Sequence, residues 1–259
     1  MAKNTNNVPN RRAELRAAQE RAAAKARRNR IIIVIIAVVV AAALVAVVAL
    51  AVSGTFGGSS KDQDLTGTTR PPNASANDKG IYSQLNTNDS AKVLTVVDDF
   101  QCPACASYEE VYGPVFQSLA EKGEVKLEYR NRFFLDTNLK NDSSQKAAIG
   151  ASCADTVGKY QEYHDTVFAN QPSQEGTGYT ESQLRETFPQ QAGITGDDLT
   201  TFQTCYDSGA TGSYVQGVDD KASADGWNST PTFLVNGKKI SFTDQNPTED
   251  YVMQIVNAA

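Results

Sequence analysis

An α/β fold behind a single N-terminal transmembrane helix is predicted by three observations. A β-branched run from Lys92 to Val97 hands over, at Cys102-Pro103-Ala104-Cys105, to apolar residues at helical spacing. Sheet character then disappears through the middle of the chain and returns at Thr232. The stretch Ile31 to Val52 is almost wholly Ile, Val, Ala and Leu, with no charge. The resulting order is βαβ, an all-helical insert, then ββα.

The apolar stretch is long enough: at about 1.5 Å per residue a helix of this length crosses a bilayer core of roughly 30 Å. Basic residues between Lys3 and Arg30 outnumber Glu14 and Glu20 by nine to two, which places residues 1–30 in the cytoplasm and everything after Val52 outside. A cleaved signal peptide is the alternative, with Ala51-Val52-Ser53 as its weak cleavage site. Its apolar core usually runs about 7–15 residues, so we read residues 31–52 as a retained single-pass anchor in the cell membrane. With the basic flank removed from the chain's net −6, the exported part carries about −13, which argues against nucleic acid as a partner. Residues 53–90 are rich in Gly, Ser, Thr, Asn and Asp and read as a flexible linker; as a coil of roughly 35 residues it would span about 30–36 Å.

Residues 91–259 are ample for one globular domain. Lys92–Val97 reads as a strand buried on both faces. Tyr108, Val111, Val115 and Leu119 follow at helical spacing to a cap at Gly123, interrupted and kinked at Gly113-Pro114. Val125–Tyr129 alternates as a second strand, parallel to the first. In the insert, about residues 138–226, Ile149, Cys153, Val157, Tyr160, His164 and Val167 share one face of a long helix. Two further helical patterns surround Leu199, Phe202 and Cys205, then Tyr214, Val218 and Ala222. Thr232–Val235 and Lys239–Phe242 read as a hairpin through Asn236-Gly237. The last helix opens at Asn246-Pro247-Thr248-Glu249, with Asn246 as its cap.

Two thiols three positions apart at a helix start can close a reversible disulfide, and the helix N-terminus favours the thiolate of the first. Zinc sites share the C-x-x-C spacing, but there is one His and no second C-x-x-C, so a four-ligand site would have to gather Cys153, Cys205 or His164. We therefore expect redox chemistry with neither metal nor cofactor. Cys153 and Cys205 lie on apolar sides of insert helices. In an oxidising compartment they are expected to form a structural disulfide rather than remain two buried thiols, and closing a loop of about 50 residues is worth roughly 4 kcal/mol. His164, on the face of Ile149 and Cys153, is expected to pack in the core.

Three segments carry a resemblance: Asp99-Phe100-Gln101-Cys102-Pro103-Ala104-Cys105, Tyr163-His164-Asp165-Thr166-Val167-Phe168-Ala169-Asn170-Gln171, and Thr230-Pro231-Thr232-Phe233-Leu234-Val235-Asn236-Gly237. With the element order, they resemble the thioredoxin fold with an inserted all-helical domain, in its DsbA-like branch. Anchor and linker further resemble the membrane-bound DsbA-like oxidoreductases of Gram-positive bacteria, which oxidise exported proteins. The resemblance implies that Cys102 is the exposed, attacking sulfur and Cys105 the buried one. It makes Pro231 the cis-proline opposite them, presenting the Thr230 backbone to an incoming peptide; an ordinary trans bond is the alternative.

Two departures from the family pattern stand out. The best-known oxidants have a His between the cysteines, whereas the Ala104 side chain gives the Cys102 thiolate neither charge nor hydrogen bond, so a milder oxidant is expected. Relatives often place a buried acid six residues before the first Cys; here Val96 stands there, leaving Asp98 and Asp99 as candidates for a proton relay or, on the plainer reading, as solvated residues at a strand end. An apolar surface around the dithiol, drawn from Phe100, Tyr108 and Phe233, is expected to receive unfolded exported proteins with Cys residues. An oxidant would need a membrane partner to reoxidise it. A reductase or isomerase is the nearest rival, favoured by Ala104 and Thr230; a non-catalytic chaperone or envelope binding module is the rival of another class.

Overall fold

The structure, a computed structural model, describes residues 66–259. The expected anchor at 31–52 and the basic segment before it lie outside these residues; among the described residues no helix is long and apolar enough to cross a membrane.

A five-stranded mixed sheet forms the centre, in the order β1-β3-β2-β4-β5. Strand β2 (Lys92–Asp99) and β3 (Val125–Arg132) run parallel, joined by helix α1 (Pro103–Glu121). Strand β4 (Thr232–Val235) lies antiparallel to β2, with Val96 opposite Phe233, and β5 (Lys238–Ile240) completes the hairpin. The turn uses Asn236 and Gly237, both at positive φ, as a tight two-residue hairpin requires. β2 is covered on both faces, which is why Val93–Val97 reads as a nearly continuous apolar run; β3 is buried too although it alternates, because Glu128 is satisfied by Thr95 and Arg130.

The expected linker does not extend to residue 90. Strand β1 (Ile81–Tyr82) pairs antiparallel with β3, and Ile81 is buried. Asn73 fastens the segment further, giving its backbone and side-chain N–H groups to Asp155, each at 2.8 Å. So short a strand in a polar stretch has no periodicity of its own; pairing with β3 holds it.

Helix α1 runs through Pro114 without interruption. Its inner face is Cys105, Tyr112, Phe116 and Leu119, whereas Val111 is exposed. The single long helix expected around Ile149 to Val167 is two, α3 (Ser143–Asp155) and α4 (Tyr160–Ala169), after a short α2 (Phe134–Leu139). Gly158 in the left-handed region ends α3, with the Lys159 N–H bonded back to the Ala154 carbonyl. A π-helical turn (Gln183–Thr187), α5 (Phe188–Gln191), α6 (Gly196–Asp207) and α7 (Gly212–Ala224) complete the insert. Cys153 of α3 and Cys205 of α6 are joined by a disulfide, S–S 2.01 Å. Helix α8 (Glu249–Ala258) starts two residues later than expected: Thr248, not Asn246, is the cap, its hydroxyl accepting the Tyr251 N–H at 3.2 Å.

Candidate active site

Strand β2 ends in two acids and a tight turn that delivers the dithiol. The Asp99 carbonyl accepts the Cys102 N–H at 2.9 Å, and its carboxylate accepts the Gln101 N–H at 3.0 Å. From α4 and the loop after it, Gln171 donates to the carbonyls of Phe100 and Cys102, and the Tyr179 hydroxyl donates to Phe100 at 2.6 Å. So held, Cys102 caps α1, with Pro103 at the first helical position where its missing N–H costs nothing.

The two sulfurs are unlike. At the start of α1 the Cys105 thiol and the backbone of Ala104 and Cys105 all favour the charged form of the Cys102 sulfur. The Cys105 bond is the largest of several influences that, against burial, bring the Cys102 thiol down to about 6. Ala104 thus contributes through its backbone what its side chain lacks. Burial, followed by the hydrogen bond to Cys102 and then its charge, pushes the Cys105 thiol well above its ordinary value. The Thr230–Pro231 bond is cis, and the Thr230 carbonyl lies 3.6 Å from Cys102 Sγ. Cys102 was expected to be exposed; it keeps 8% of its surface, against 3% for Cys105, because the Thr230 carbonyl and the helix start close around it.

Asp98 and Asp99 are both buried, not solvated. Asp98 accepts Asn131 Nδ2 at 2.6 Å on one oxygen and faces His164 Nε2 at 2.8 Å with the other. Asp99 accepts the Ser144 hydroxyl at 2.6 Å and the backbone N–H of Leu135 at 3.3 Å; burial nevertheless raises its carboxyl to about 7. His164 does pack in the core, fully buried among Phe100, Tyr129 and Phe168. Burial lowers its pKa, but Asp165 and Asp98 outweigh that and carry it to about 10, so imidazolium and Asp98 carboxylate form a buried ion pair.

Phe100 is a core residue rather than docking surface, Phe233 is buried but lines a surface depression, and of the three aromatics expected there only Tyr108 is partly exposed. Two depressions flank the dithiol instead. One, about 230 Å³, lies along Tyr108, Pro231, Phe233 and Ile240. The other, about 700 Å³, runs past Pro103, Ala106, Glu109, Gln117, Asp165 and Phe168. Behind the sulfurs a cavity of about 10 Å³ touches Cys105, Asp98, Glu109, Tyr108 and Pro231, enough for one water.

Glu109 is the residue that sequence reasoning missed. It follows Cys105 by four positions, so it stacks on the same helix face. Its one sequence signal is Gly113 a turn later, where a Cβ would overlap Glu109 Oε1. Ligand atoms of Glu109, His164 and Asp165 lie within 4.8 Å of one another, the spacing of a cation site. His164 is already engaged by Asp98 and Asp165, so these residues read as a proton-handling group.

A thioredoxin fold with a dithiol at the start of its first central helix and a cis-proline opposite defines a thiol–disulfide oxidoreductase. The chain belongs to the thioredoxin family, whose model, described as Thioredoxin, matches residues 86–258. Among solved structures it is similar to DsbA from Mycobacterium tuberculosis in its reduced form, with 27% identity and TM-score 0.50 over 62% of this chain and 82% of that one. It shares its fold with the MdbA thiol-disulfide oxidoreductase from Corynebacterium diphtheriae, at 20% identity and TM-score 0.54 over 71% and 94% of the two chains. BdbD from Bacillus subtilis aligns at 19% identity and TM-score 0.56 over 74% and 96%. Comparison with curated proteins finds no match.

Proposed function

We propose that this chain is a membrane-anchored, extracytoplasmic oxidase that introduces disulfides into exported proteins through Cys102 and Cys105. The observation that carries this reading is the asymmetry of the dithiol: Cys102 stands at the start of α1 beside the cis Thr230–Pro231 bond while Cys105 is buried on the helix's inner face, which brings the first thiol down to about 6 and pushes the second up. A stabilised thiolate favours the reduced enzyme, and a dithiol that favours its reduced form oxidises others. The insert disulfide Cys153–Cys205 supports an oxidising compartment, and the uncharged stretch 31–52 behind a basic flank supports the anchor.

In the forward reaction a substrate thiolate attacks Cys102 Sγ of the enzyme disulfide, the bond to Cys105 breaks, and Cys105 leaves with the electron pair. A second substrate thiolate then attacks the substrate sulfur of the mixed disulfide and expels the Cys102 thiolate. The substrate loses two electrons and the enzyme gains them, so a membrane partner must reoxidise the dithiol. Depressions beside Pro103 and beside Pro231 suit an extended, partly apolar chain, and the Thr230 carbonyl before the cis bond lies next to Cys102.

A thiol at about 6, set by backbone and Cys105 rather than by a neighbouring His, supports a milder oxidant than DsbA at about −120 mV. That keeps reduction or isomerisation as the second reading. Purified full-length protein is expected to oxidise reduced, unfolded ribonuclease faster than it reduces insulin; the reverse ranking assigns it to the reductases. Cys102→Ala is expected to abolish both activities, whereas a chaperone or binding module would keep its function without that sulfur.

A further inference from the structure

Thr230 lays its carbonyl beside the Cys102 sulfur, yet the loop that carries it has little of its own to hold it. After α7 stops at Ala224, Gly226 turns the chain at φ +84°, and Asn228 and Ser229 are exposed. A segment of this kind keeps one shape only where the body of the fold bonds its backbone. Apart from Cys102 itself, two side chains among the described residues do so. The Thr232 hydroxyl, just past the cis bond, donates to the Ser229 carbonyl at 2.7 Å, and the Arg132 guanidinium, from the end of β3, donates to the Trp227 carbonyl.

Arg132 stands opposite Asp99 in the β2–β3 register, and its side chain is 3% exposed. Nε reaches Asp219 at 2.5 Å and Nη2 the Ser223 hydroxyl at 2.8 Å, both on α7 and a turn apart, while Nη1 takes the Trp227 carbonyl and the Phe134 ring lies 5.2 Å away. A planar guanidinium fork makes all three bonds at once; an ammonium in its place would keep the ion pair and lose the geometry. Asp99 carries the other half of the site, since its carbonyl accepts the Cys102 N–H at 2.9 Å. Facing residues of two paired strands therefore hold the sulfur on one side and the approach to Thr230 on the other.

We propose that Arg132 is a positioning residue for client binding: by pinning the Trp227 carbonyl to the end of β3 and to α7, it sets the loop from Gly226 to Thr230 against Cys102 before a client arrives; this rests on the exchange reaction proposed above. Arg132 touches neither client nor sulfur and acts through Trp227 and Thr230. The entropy of ordering the loop is then met on folding instead of on binding, so the benefit falls to a client that pairs its backbone with Thr230. A small thiol with no backbone gains nothing from it.

Single-turnover reaction of the full-length oxidised protein with two reduced thiols tests this: a two-cysteine peptide, and dithiothreitol, which has no backbone to pair. Arg132→Lys keeps a cation beside Asp219. It is expected to raise the peptide concentration for half-maximal rate roughly 10-fold, the worth of one charge-assisted hydrogen bond, and to leave the limiting rate and the dithiothreitol rate within about twofold of wild type. Should that variant not fold, Arg132→Gln/Asp219→Asn leaves no buried charge unpaired and is expected to give the same split. Asp219→Asn alone leaves the guanidinium on Trp227 and is expected to lower the denaturation midpoint without moving the half-maximal concentration. Trp227, the chain's one tryptophan, reports the loop directly: acrylamide is expected to quench its fluorescence more steeply in both Arg132 variants than in wild type or Asp219→Asn. Equal half-maximal concentrations in wild type and Arg132→Lys, or peptide and dithiothreitol rates that fall together, overturn the proposal. If wild type only reduces insulin, the oxidase reading fails, while the same variants compared in insulin reduction still decide the role of Arg132. A wild-type chain inert in both directions removes the exchange reaction and this proposal together.

Discussion

The Cys102 sulfur sits at the start of α1, where the Cys105 thiol and the first backbone N–H groups favour its charged form. Its ionisation is therefore expected to appear as thiolate absorbance with a midpoint near 6 in the reduced protein, absent in Cys102→Ala and retained in Glu109→Gln. Cys105 is expected to stay protonated across that range. Motif residues adjacent in sequence, Cys102 to Cys105 and Thr230-Pro231, were legible because their chemistry depends on spacing along one turn of chain. Glu109 was not, since between Tyr108 and Glu110 it reads as one more charge on a helix surface. What turns it inward is space at Gly113 and the approach of α4, neither visible locally. The partner of Asp98 is likewise hidden, because His164 lies 66 residues away in the chain.

Secondary elements show the same division. β2, α1, β3 and the β4–β5 hairpin have strong periodicity or a demanding turn, and the sequence located them to within a few residues. β1 and the cap of α8 are decided by partners: β1 by the free side of β3, and the cap by which hydroxyl reaches the Tyr251 N–H. The gap between α3 and α4 was obscured because apolar residues keep their spacing across Gly158 by accident. The disulfide between α3 and α6 closes a separation of 52 residues, and its removal in Cys153→Ala/Cys205→Ala is expected to lower unfolding free energy by about 4 kcal/mol, measured by denaturant titration. Because both sulfurs lie outside the dithiol and its two flanking depressions, exchange rates at temperatures where the variant is folded are expected to change little.

For the molecule as a whole, the buried carboxyls of Asp99 and Glu109 and the one imidazole shift in the same direction, upward, while the Cys102 thiol goes down. Asp99 and Glu109 are raised to about 7, chiefly by burial, and His164 is held near 10 by the carboxylates that outweigh its burial. A group whose folded pKa exceeds its unfolded value gives its full stabilisation below the unfolded value and loses it as pH rises through the folded one. The acids therefore withdraw stability as pH rises from 3.8 and 4.5, their ordinary values, to about 7, and His164 withdraws more between 6.5 and about 10. Denaturation midpoints are expected to decline steadily from mildly acidic to alkaline pH. His164→Gln is expected to flatten the alkaline part of that decline while lowering stability throughout, because Asp98 is left buried without its cation.

The sheet has two margins, and they are treated differently. One is sealed by β1; the other, β5, presents Lys238 and Lys239 to solvent. Two copies meeting along that margin would bring four ammonium groups together, and a strand from an unfolded client would meet the same fringe of charge. Under the function proposed above, with unfolded chains as clients, that fringe is a guard against seeding them into fibres.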